Sequence, residues 1–174
     1  TPARVSDLAA AVPAGVTKVA LTVDADDALL DAIARQTPID LLQLHGHESP
    51  QRVAEIKATF GLPVMKAVGI AGVADIAVAR TYEDTADWLL FDAQPPKDAT
   101  RPGGNALAFD WRILGGETWG LPWMLAGGLT ADNLADAVAT SGAPGVDVSS
   151  GVEDGPGVKN PHKIREFLQI ASSL

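Results

Sequence analysis

Residues 123–151 read WMLAGGLTADNLADAVATSGAPGVDVSSG, a stretch in which two short apolar runs flank one helical pattern. The first run ends in Gly127-Gly128, the helical pattern covers 131–140, and the second run ends in Ser149-Ser150-Gly151. Short runs that are apolar throughout, without alternation, are typical of strands covered on both faces, as in parallel sheets. A strand, a helix and a second strand joined by short loops predict a right-handed parallel crossover, so we expect an α/β protein.

The same alternation extends over the rest of the 174 residues and predicts a single domain. Six strands are expected at 18–23, 39–44, 63–68, 88–91, 123–126 and 145–149. Seven helices are expected at 2–12, 26–35, 50–60, 73–81, a short one from 109, 131–140 and 161–171. Two architectures fit this order, a doubly wound open sheet and a closed eight-stranded barrel, and both place active residues at the carboxyl ends of strands. No predicted strand is followed by Gly-x-Gly-x-x-Gly or a P-loop, which disfavours a nucleotide-binding open sheet.

Composition and charge argue against several classes of function. The formal net charge is −9, whereas non-specific binding to nucleic acid requires a basic surface. No run reaches about 18 apolar residues, so no membrane-spanning helix is predicted. The chain contains no cysteine, which excludes a disulfide, a Cys-ligated zinc and a thiol nucleophile within these residues and fits a reducing compartment. We therefore expect a cytoplasmic protein that binds neither nucleic acid nor membranes.

Polar side chains collect where the predicted strands end. Asp92 directly follows an apolar strand; there it could cap a turn, or partial burial could raise its pKa and let it act as a general acid. His45 ends an earlier strand in Gln43-Leu44-His45-Gly46, and taken alone it is most simply an ordinary, hydrogen-bonded polar side chain. Lys66 could extend from its core strand toward solvent.

Two glycine-bearing turns after the last two strands predict a phosphate site. A phosphate monoester needs several converging donors, and small residues let backbone N–H groups approach it closely. In eight-stranded barrels such a site is often built by the loops after strands seven and eight. The residues that would bind phosphate are Gly127, Gly128, Ser149, Ser150 and Gly151.

The segment from 93 to 108 is too long for a routine connection between a strand and a helix. It holds Pro95-Pro96 and Pro102 ahead of Gly103-Gly104, and glycines that can act as hinges beside stiff prolines suggest a lid over the site. The alternative to a lid is a disordered surface loop.

Several motifs in one order resemble the phosphoribosylanthranilate isomerase family over essentially all 174 residues. They are Gln43-Leu44-His45-Gly46, Phe91-Asp92-Ala93, Pro102-Gly103-Gly104-Asn105, Leu125-Ala126-Gly127-Gly128-Leu129 and Val146-Asp147-Val148-Ser149-Ser150-Gly151-Val152-Glu153. The resemblance implies a (β/α)8 TIM barrel that forms one domain over residues 1–174. The six predicted strands then become strands three to eight and the helices become helices two to eight, with strand one, helix one and strand two absent from the chain.

The activity that the resemblance implies is an Amadori rearrangement in tryptophan biosynthesis, an aldose–ketose isomerisation that needs no cofactor and no metal. By similarity Asp92 is the general acid, the glycines and serines of the two turns hold the substrate phosphate, and Gln43, His45 and Gly104 line the substrate pocket. The expected partner is a small phosphorylated substrate, and the protein is expected to be a monomer or a homodimer.

Two features of the family pattern have no match in the chain. The family's general base is a cysteine at the end of strand one, and an arginine after strand two is expected to bind the anthranilate carboxylate; Arg4 lies inside the first predicted helix and does not fit. Thr1 and Pro2 predict a helix start, as in a piece cut from a longer chain. An alternative is therefore an inactive barrel fragment that retains phosphate affinity.

Another phosphate-binding barrel, indole-glycerol-phosphate synthase, would require further lysine and glutamate groups at strand ends, and Lys66 alone does not supply them.

Overall fold

The computed structural model describes residues 2–94 and 108–174, which form alternating strands and helices. The helices are α1 Pro2–Ala10, α2 Asp27–Gln36, α3 Pro50–Phe60, α4 Ala74–Arg80, α5 Leu134–Ser141 and α6 Pro161–Ala171. The strands are β1 Val19–Thr22, β2 Leu41–Leu44, β3 Val64–Ile70, β4 Trp88–Ala93 and β5 Trp123–Leu125, with a short hairpin of β6 Glu153–Gly155 and β7 Val158–Lys159. Single 3-10 turns cover Trp111–Ile113 and Ser150–Val152.

Strands β1 to β5 form one parallel sheet in which strand order follows chain order, β1-β2-β3-β4-β5. A doubly wound sheet reverses its order at a switch point, whereas a barrel adds each strand beside the last. The register sets Thr22 beside Leu44, and Leu44 beside Lys66. The fold is therefore of the (β/α)8 barrel type, as predicted, and the carboxyl ends of its strands lie along one edge.

The sixth predicted strand is wrong in extent. Only Val146 bridges to Leu125, through Leu125 N–H donating to Gly145 O at 2.9 Å and Asp147 N–H donating to Leu125 O at 2.8 Å. The ladder stops there because the backbone of Ser149 turns away, with φ −121° and ψ −85°, into the 3-10 turn. Within residues 2–94 and 108–174 this segment does not pair with β1, so these two segments are the edges of the sheet.

Local caps explain why most helix starts were predictable. Asp26 accepts from Leu29 N–H at 2.8 Å at the start of α2, and Ser49 accepts from Arg52 N–H at 3.2 Å at the start of α3. Asn160 caps α6 in the same way, and proline occupies the first helical position of α3 and α6. The predicted start of α5 at 131 is wrong, because residues 131–133 form a turn ahead of Leu134.

The sheet has two faces with different contents. The face toward the helices holds the larger core, which includes Leu30, Leu44, Ile56 and Phe91. The inner face holds a smaller cluster of Leu41, Met65, Ala67, Leu90 and Ala126. Because side chains alternate along a strand, Gln43 shares the inner face with Leu41, and Asp92 shares it with Leu90. Polar groups thus follow apolar ones toward the carboxyl end of the inner face.

Candidate active site at the carboxyl ends of the strands

Asp92 lies inside β4, one residue before its end, and is 8% exposed. Its Oδ1 accepts from Ala93 N–H at 2.8 Å, and its Oδ2 lies 3.3 Å from Nε2 of His45. The strand was predicted to end at Asp92, whereas pairing with β3 continues through Ala93. This carboxyl group is therefore part of a rigid strand and faces a histidine, which is a stronger arrangement for proton transfer than an exposed turn cap.

His45 follows β2 directly and is held from two sides. Its backbone N–H donates to Thr22 O at 2.8 Å, and its Nδ1 lies 3.0 Å from Nε2 of Gln43. An amide nitrogen can only donate, so Nδ1 accepts and the proton of a neutral imidazole lies on Nε2. The Nε2–H group then points at Asp92, and Gln43, His45 and Asp92 form one chain of hydrogen-bonding groups.

Asp147 belongs to the same inner face, although the strand-end argument did not select it. Its neighbours Val146 and Val148 pack into the helix-side core, so alternation turns Asp147 inward. Burial raises the pKa of Asp147, and the negative charge of Asp92 raises it further, while His45 and Lys159 act in the opposite direction. The alternation Val-Asp-Val was the available signal, because a lone acid between two core residues must face the other side of the strand.

The two glycine-bearing turns lie close to each other and to Asp92. Gly127 has φ +88°, and a Cβ at this position would lie 2.6 Å from the backbone nitrogen of Ala93. A Cβ at Gly151 would lie 1.9 Å from the carbonyl oxygen of Leu129. Both positions therefore require glycine, and the turns that begin after β5 and after Asp147 are packed against each other at the edge where Asp92 lies.

Ser149 and Ser150 follow Asp147 at the start of the 3-10 turn, and Ser149 is exposed. Lys159 on β7 donates to Ser149 O at 2.8 Å and to Ser149 Oγ at 3.3 Å, and it pairs with Glu153 at 2.8 Å. The hairpin, which the sequence did not predict, thus brings a cation to the predicted phosphate turn. Gly128 is the partner of Gly127 in the other turn, with φ +65°. Gly104 and the predicted lid lie outside the described residues.

Lys66 does not extend toward solvent as predicted. It is 2% exposed and pairs with Glu48, which is 5% exposed, at 2.8 Å. The prediction was wrong because the side chain finds its partners inside, on the helix side of the sheet. No helix in the part of the chain that the structure describes is long and apolar enough to cross a membrane.

Comparisons of the sequence with known proteins match nearly the whole chain to one family. Residues 2–170 match the sequence profile of a family described as N-(5'-phosphoribosyl)anthranilate (PRA) isomerase. The N-(5'-phosphoribosyl)anthranilate isomerase of Cereibacter sphaeroides is 60% identical over 169 residues, which cover 97% of this chain and 80% of that protein.

Solved structures are similar over the whole chain as well. The crystal structure of phosphoribosyl anthranilate isomerase from Thermotoga maritima superposes with a TM-score of 0.83 at 28% identity, covering 100% of this chain and 82% of that one. A phosphoribosyl anthranilate isomerase in complex with reduced 1-(o-carboxyphenylamino)-1-deoxyribulose 5-phosphate gives a TM-score of 0.80 at 25% identity, covering 100% of this chain and 80% of that one.

Proposed function

The chain belongs to the N-(5'-phosphoribosyl)anthranilate isomerase family, and from this membership we infer that its function is the isomerisation of N-(5-phosphoribosyl)anthranilate to 1-(2-carboxyphenylamino)-1-deoxyribulose 5-phosphate in tryptophan biosynthesis. The observation that carries the assignment of roles is the buried Asp92, 3.3 Å from His45 and beside the two glycine-bearing turns. The substrate is the only partner that the chemistry requires, and the proposed location is the cytoplasm.

Asp92 is the proposed general acid. It donates its proton to the ring oxygen of the substrate, the C1–O bond breaks, and the nitrogen lone pair forms a Schiff base at C1. Removal of the C2 proton by a base then gives an enolamine, which tautomerises to the aminoketose. After the first transfer, Asp92 is a carboxylate, and the Nε2–H of His45 is placed to stabilise that negative charge by a hydrogen bond.

The glycine-bearing turns are the proposed site for the 5-phosphate. A Cβ at Gly127 would meet the residue that follows Asp92, so an anion held by these turns would lie beside the proposed acid. Backbone N–H groups freed by glycine can bind an anion although the molecule as a whole is acidic. Gly127, Gly128, Ser149, Ser150 and Gly151 would anchor one end of the substrate, and Gln43 and His45 would contact the sugar or the anthranilate.

One observation favours a second candidate, phosphate binding without turnover. The reaction needs a base for the C2 proton, the family uses a cysteine, and none of the 174 residues is a cysteine. The two candidates differ in a single property: both predict affinity for phosphorylated ligands, and only the isomerase consumes the fluorescent anthranilate adduct.

The test is an isomerase assay on the protein that follows the loss of this fluorescence. We expect turnover in the unsubstituted protein and a roughly 10²–10⁴-fold lower kcat in Asp92→Asn, because a positioned acid typically contributes that much. Binding of the reduced product analogue should persist in Asp92→Asn, and Asp84→Asn, which changes an exposed carboxylate, serves as the matched control. Near-normal turnover in Asp92→Asn would remove this residue from the acid role, and binding without any turnover would favour the second candidate.

A further inference from the structure

A buried ammonium group lies just behind the proposed site, on the helix side of the sheet. Lys66 Nζ donates to Gly46 O at 2.7 Å, to Leu44 O at 3.2 Å and to Glu48 Oε2 at 2.8 Å. All three donor positions of the ammonium are therefore used, and two of them end on backbone carbonyls of the segment that contains His45. A charge this deeply buried is tolerated only when it is paired and hydrogen-bonded, as it is here.

Glu48 connects the same segment to a second strand. Its Oε1 accepts from Asp24 N–H at 2.9 Å, and its Oε2 accepts from Gly46 N–H at 3.0 Å. Its backbone carbonyl accepts from the hydroxyl of Tyr82 at 3.0 Å. The ion pair thus joins the turn after β1, the turn after β2 and the body of β3 into one rigid unit.

His45 lies in the middle of this unit. The residues on both sides of it, Leu44 and Gly46, have their carbonyls bound by Lys66, and its own N–H donates to Thr22. Gly46 also packs closely on Asp24, because a Cβ there would lie 2.4 Å from Asp24 Oδ1. The backbone is therefore held by hydrogen bonds at the residue before His45, at His45 itself and at the residue after it.

We propose that Lys66 and Glu48 are positioning residues for the isomerase reaction, which hold the backbone of residues 44–48 so that Nε2 of His45 stays within hydrogen-bond reach of Asp92. This inference rests on the proposed function and extends it to two side chains that do not touch the substrate. A buried ion pair adds little stability over apolar residues of the same size. An apolar pair could not take over the positioning role, because only hydrogen-bond donors and acceptors can hold two carbonyls and two N–H groups in place.

The decisive variant is the double substitution Lys66→Met/Glu48→Gln, which removes both charges together and leaves no unpaired ion in the core. We expect kcat to fall roughly 10–100-fold with KM changed by less than about threefold, since a misplacement of about 1 Å can cost that much in rate. If the double variant is too unstable, the single substitution Glu48→Asp keeps a carboxylate opposite Lys66, so no buried ion is left unpaired, and it shortens the side chain by one methylene. It should give a smaller fall in the same direction.

A second readout does not depend on turnover. The imidazole ¹⁵N shifts of His45 report its tautomer and its hydrogen bonds, and in both variants they should move toward those of a histidine that exchanges freely between tautomers. The matched control is Lys57→Met/Asp87→Asn, which removes an ion pair of 2.7 Å at the opposite end of the sheet, where Asp87 also accepts from Val64 N–H. It should lower the melting temperature and leave kcat and the His45 shifts unchanged.

Unchanged His45 shifts and unchanged kcat in the Lys66 and Glu48 variants would overturn the positioning role and leave a merely structural one. The absence of turnover in the unsubstituted protein would overturn the proposed function alone, because the His45 shifts still report whether Lys66 and Glu48 hold the imidazole.

Discussion

Two carboxyl groups, Asp92 and Asp147, share the inner face of the sheet and have different surroundings. Asp92 has a histidine and a backbone N–H as partners. Asp147 is shifted mainly by burial and then by the charge of Asp92, both of which raise its pKa. Neighbouring carboxyl groups seldom ionise together, because each disfavours the charge of the other. At the scale of single residues, Asp147 therefore holds its proton to a higher pH than an exposed aspartate does.

A raised pKa in the folded state has a defined consequence for stability. The folded protein holds the Asp147 proton more tightly than the unfolded chain does, so this contribution is complete below the ordinary value of 3.8 and is lost as pH rises through the raised pKa. Asp147→Asn replaces the carboxyl group with an amide that does not ionise, so the variant does not lose this stability as pH rises. We expect the variant to melt at a higher temperature than the unsubstituted protein at pH 7, with the difference disappearing near pH 3 to 4, in circular-dichroism melts across this range.

Asp40→Asn is the control of opposite sign. Lys18 lowers the pKa of Asp40, so the stabilisation from Asp40 is present above 3.8 and is lost as pH falls through the lowered value. A constant offset between Asp147→Asn and the unsubstituted protein at every pH would contradict the assigned role of burial.

Single-residue predictions succeeded where position along a strand is sufficient and failed where a tertiary partner decides. Asp92 was found because an acid after an apolar run must lie at the carboxyl end of a strand. The prediction for Lys66 was wrong because its partner Glu48 is 18 residues away in the chain, and no local sequence pattern indicates a buried ion pair. The contact of His45 with Asp92 likewise joins two strands that are not adjacent in the sheet, β2 and β4, and depends on how the sheet curves.

At the scale of elements, the turn after β5 and the 3-10 turn at Ser150 pack against each other at Gly151. The carbonyl of Leu129 lies where the Cβ of any other residue at 151 would be, at 1.9 Å. Gly151→Ala must therefore push the turn after β5 away from the 3-10 turn at Ser150. We expect a loss of roughly 1–3 kcal/mol in the free energy of unfolding, the usual cost of overpacking, together with weaker binding of the product analogue.

Gly155→Ala is the matched control for this substitution, because no atom lies within 4 Å of a Cβ at that position in the hairpin. Denaturant unfolding and titration with the analogue measure the two effects separately. Equal affinity in Gly151→Ala and in the unsubstituted protein would show that the contact between the turns has no part in binding phosphate.

Elements with strong end signals were predicted best. Ser49-Pro50 and Asn160-Pro161 mark helix starts, and α3 and α6 have the predicted bounds. The prediction of a strand at 145–149 was wrong in extent because the backbone makes a single bridge to Leu125 and then turns away at Ser149, which the apolar pattern of the segment does not show. The hairpin of β6 and β7 was missed because its strands are too short to show alternation.

At the scale of the whole molecule, strand order determines where chemistry can occur. Since β1 to β5 follow chain order and run parallel, every strand ends on the same edge, and side chains far apart in sequence meet there. The alternation of apolar strands and amphipathic helices predicted this class but left the doubly wound sheet open, because composition does not encode strand order. The family motifs resolved that choice before the sheet order confirmed it.

A site for a phosphorylated ligand in a molecule of net charge −9 should be detectable as local, saturable stabilisation. A ligand that binds only the folded state at about 100 times its Kd contributes about 2.7 kcal/mol. For a chain of this size that corresponds to a rise in melting temperature of roughly 5–10 °C. We expect this rise with the reduced product analogue in the unsubstituted protein and in Asp92→Asn, and a smaller rise at the same ligand concentration in Gly151→Ala.

Chloride at matched ionic strength separates specific binding from screening. General screening relieves the self-repulsion of an acidic molecule and acts equally on all three proteins, whereas occupation of the turns depends on their packing. If chloride alone reproduced the stabilisation, or if Gly151→Ala gained as much as Asp92→Asn, the glycine-bearing turns would not be where the phosphate is held.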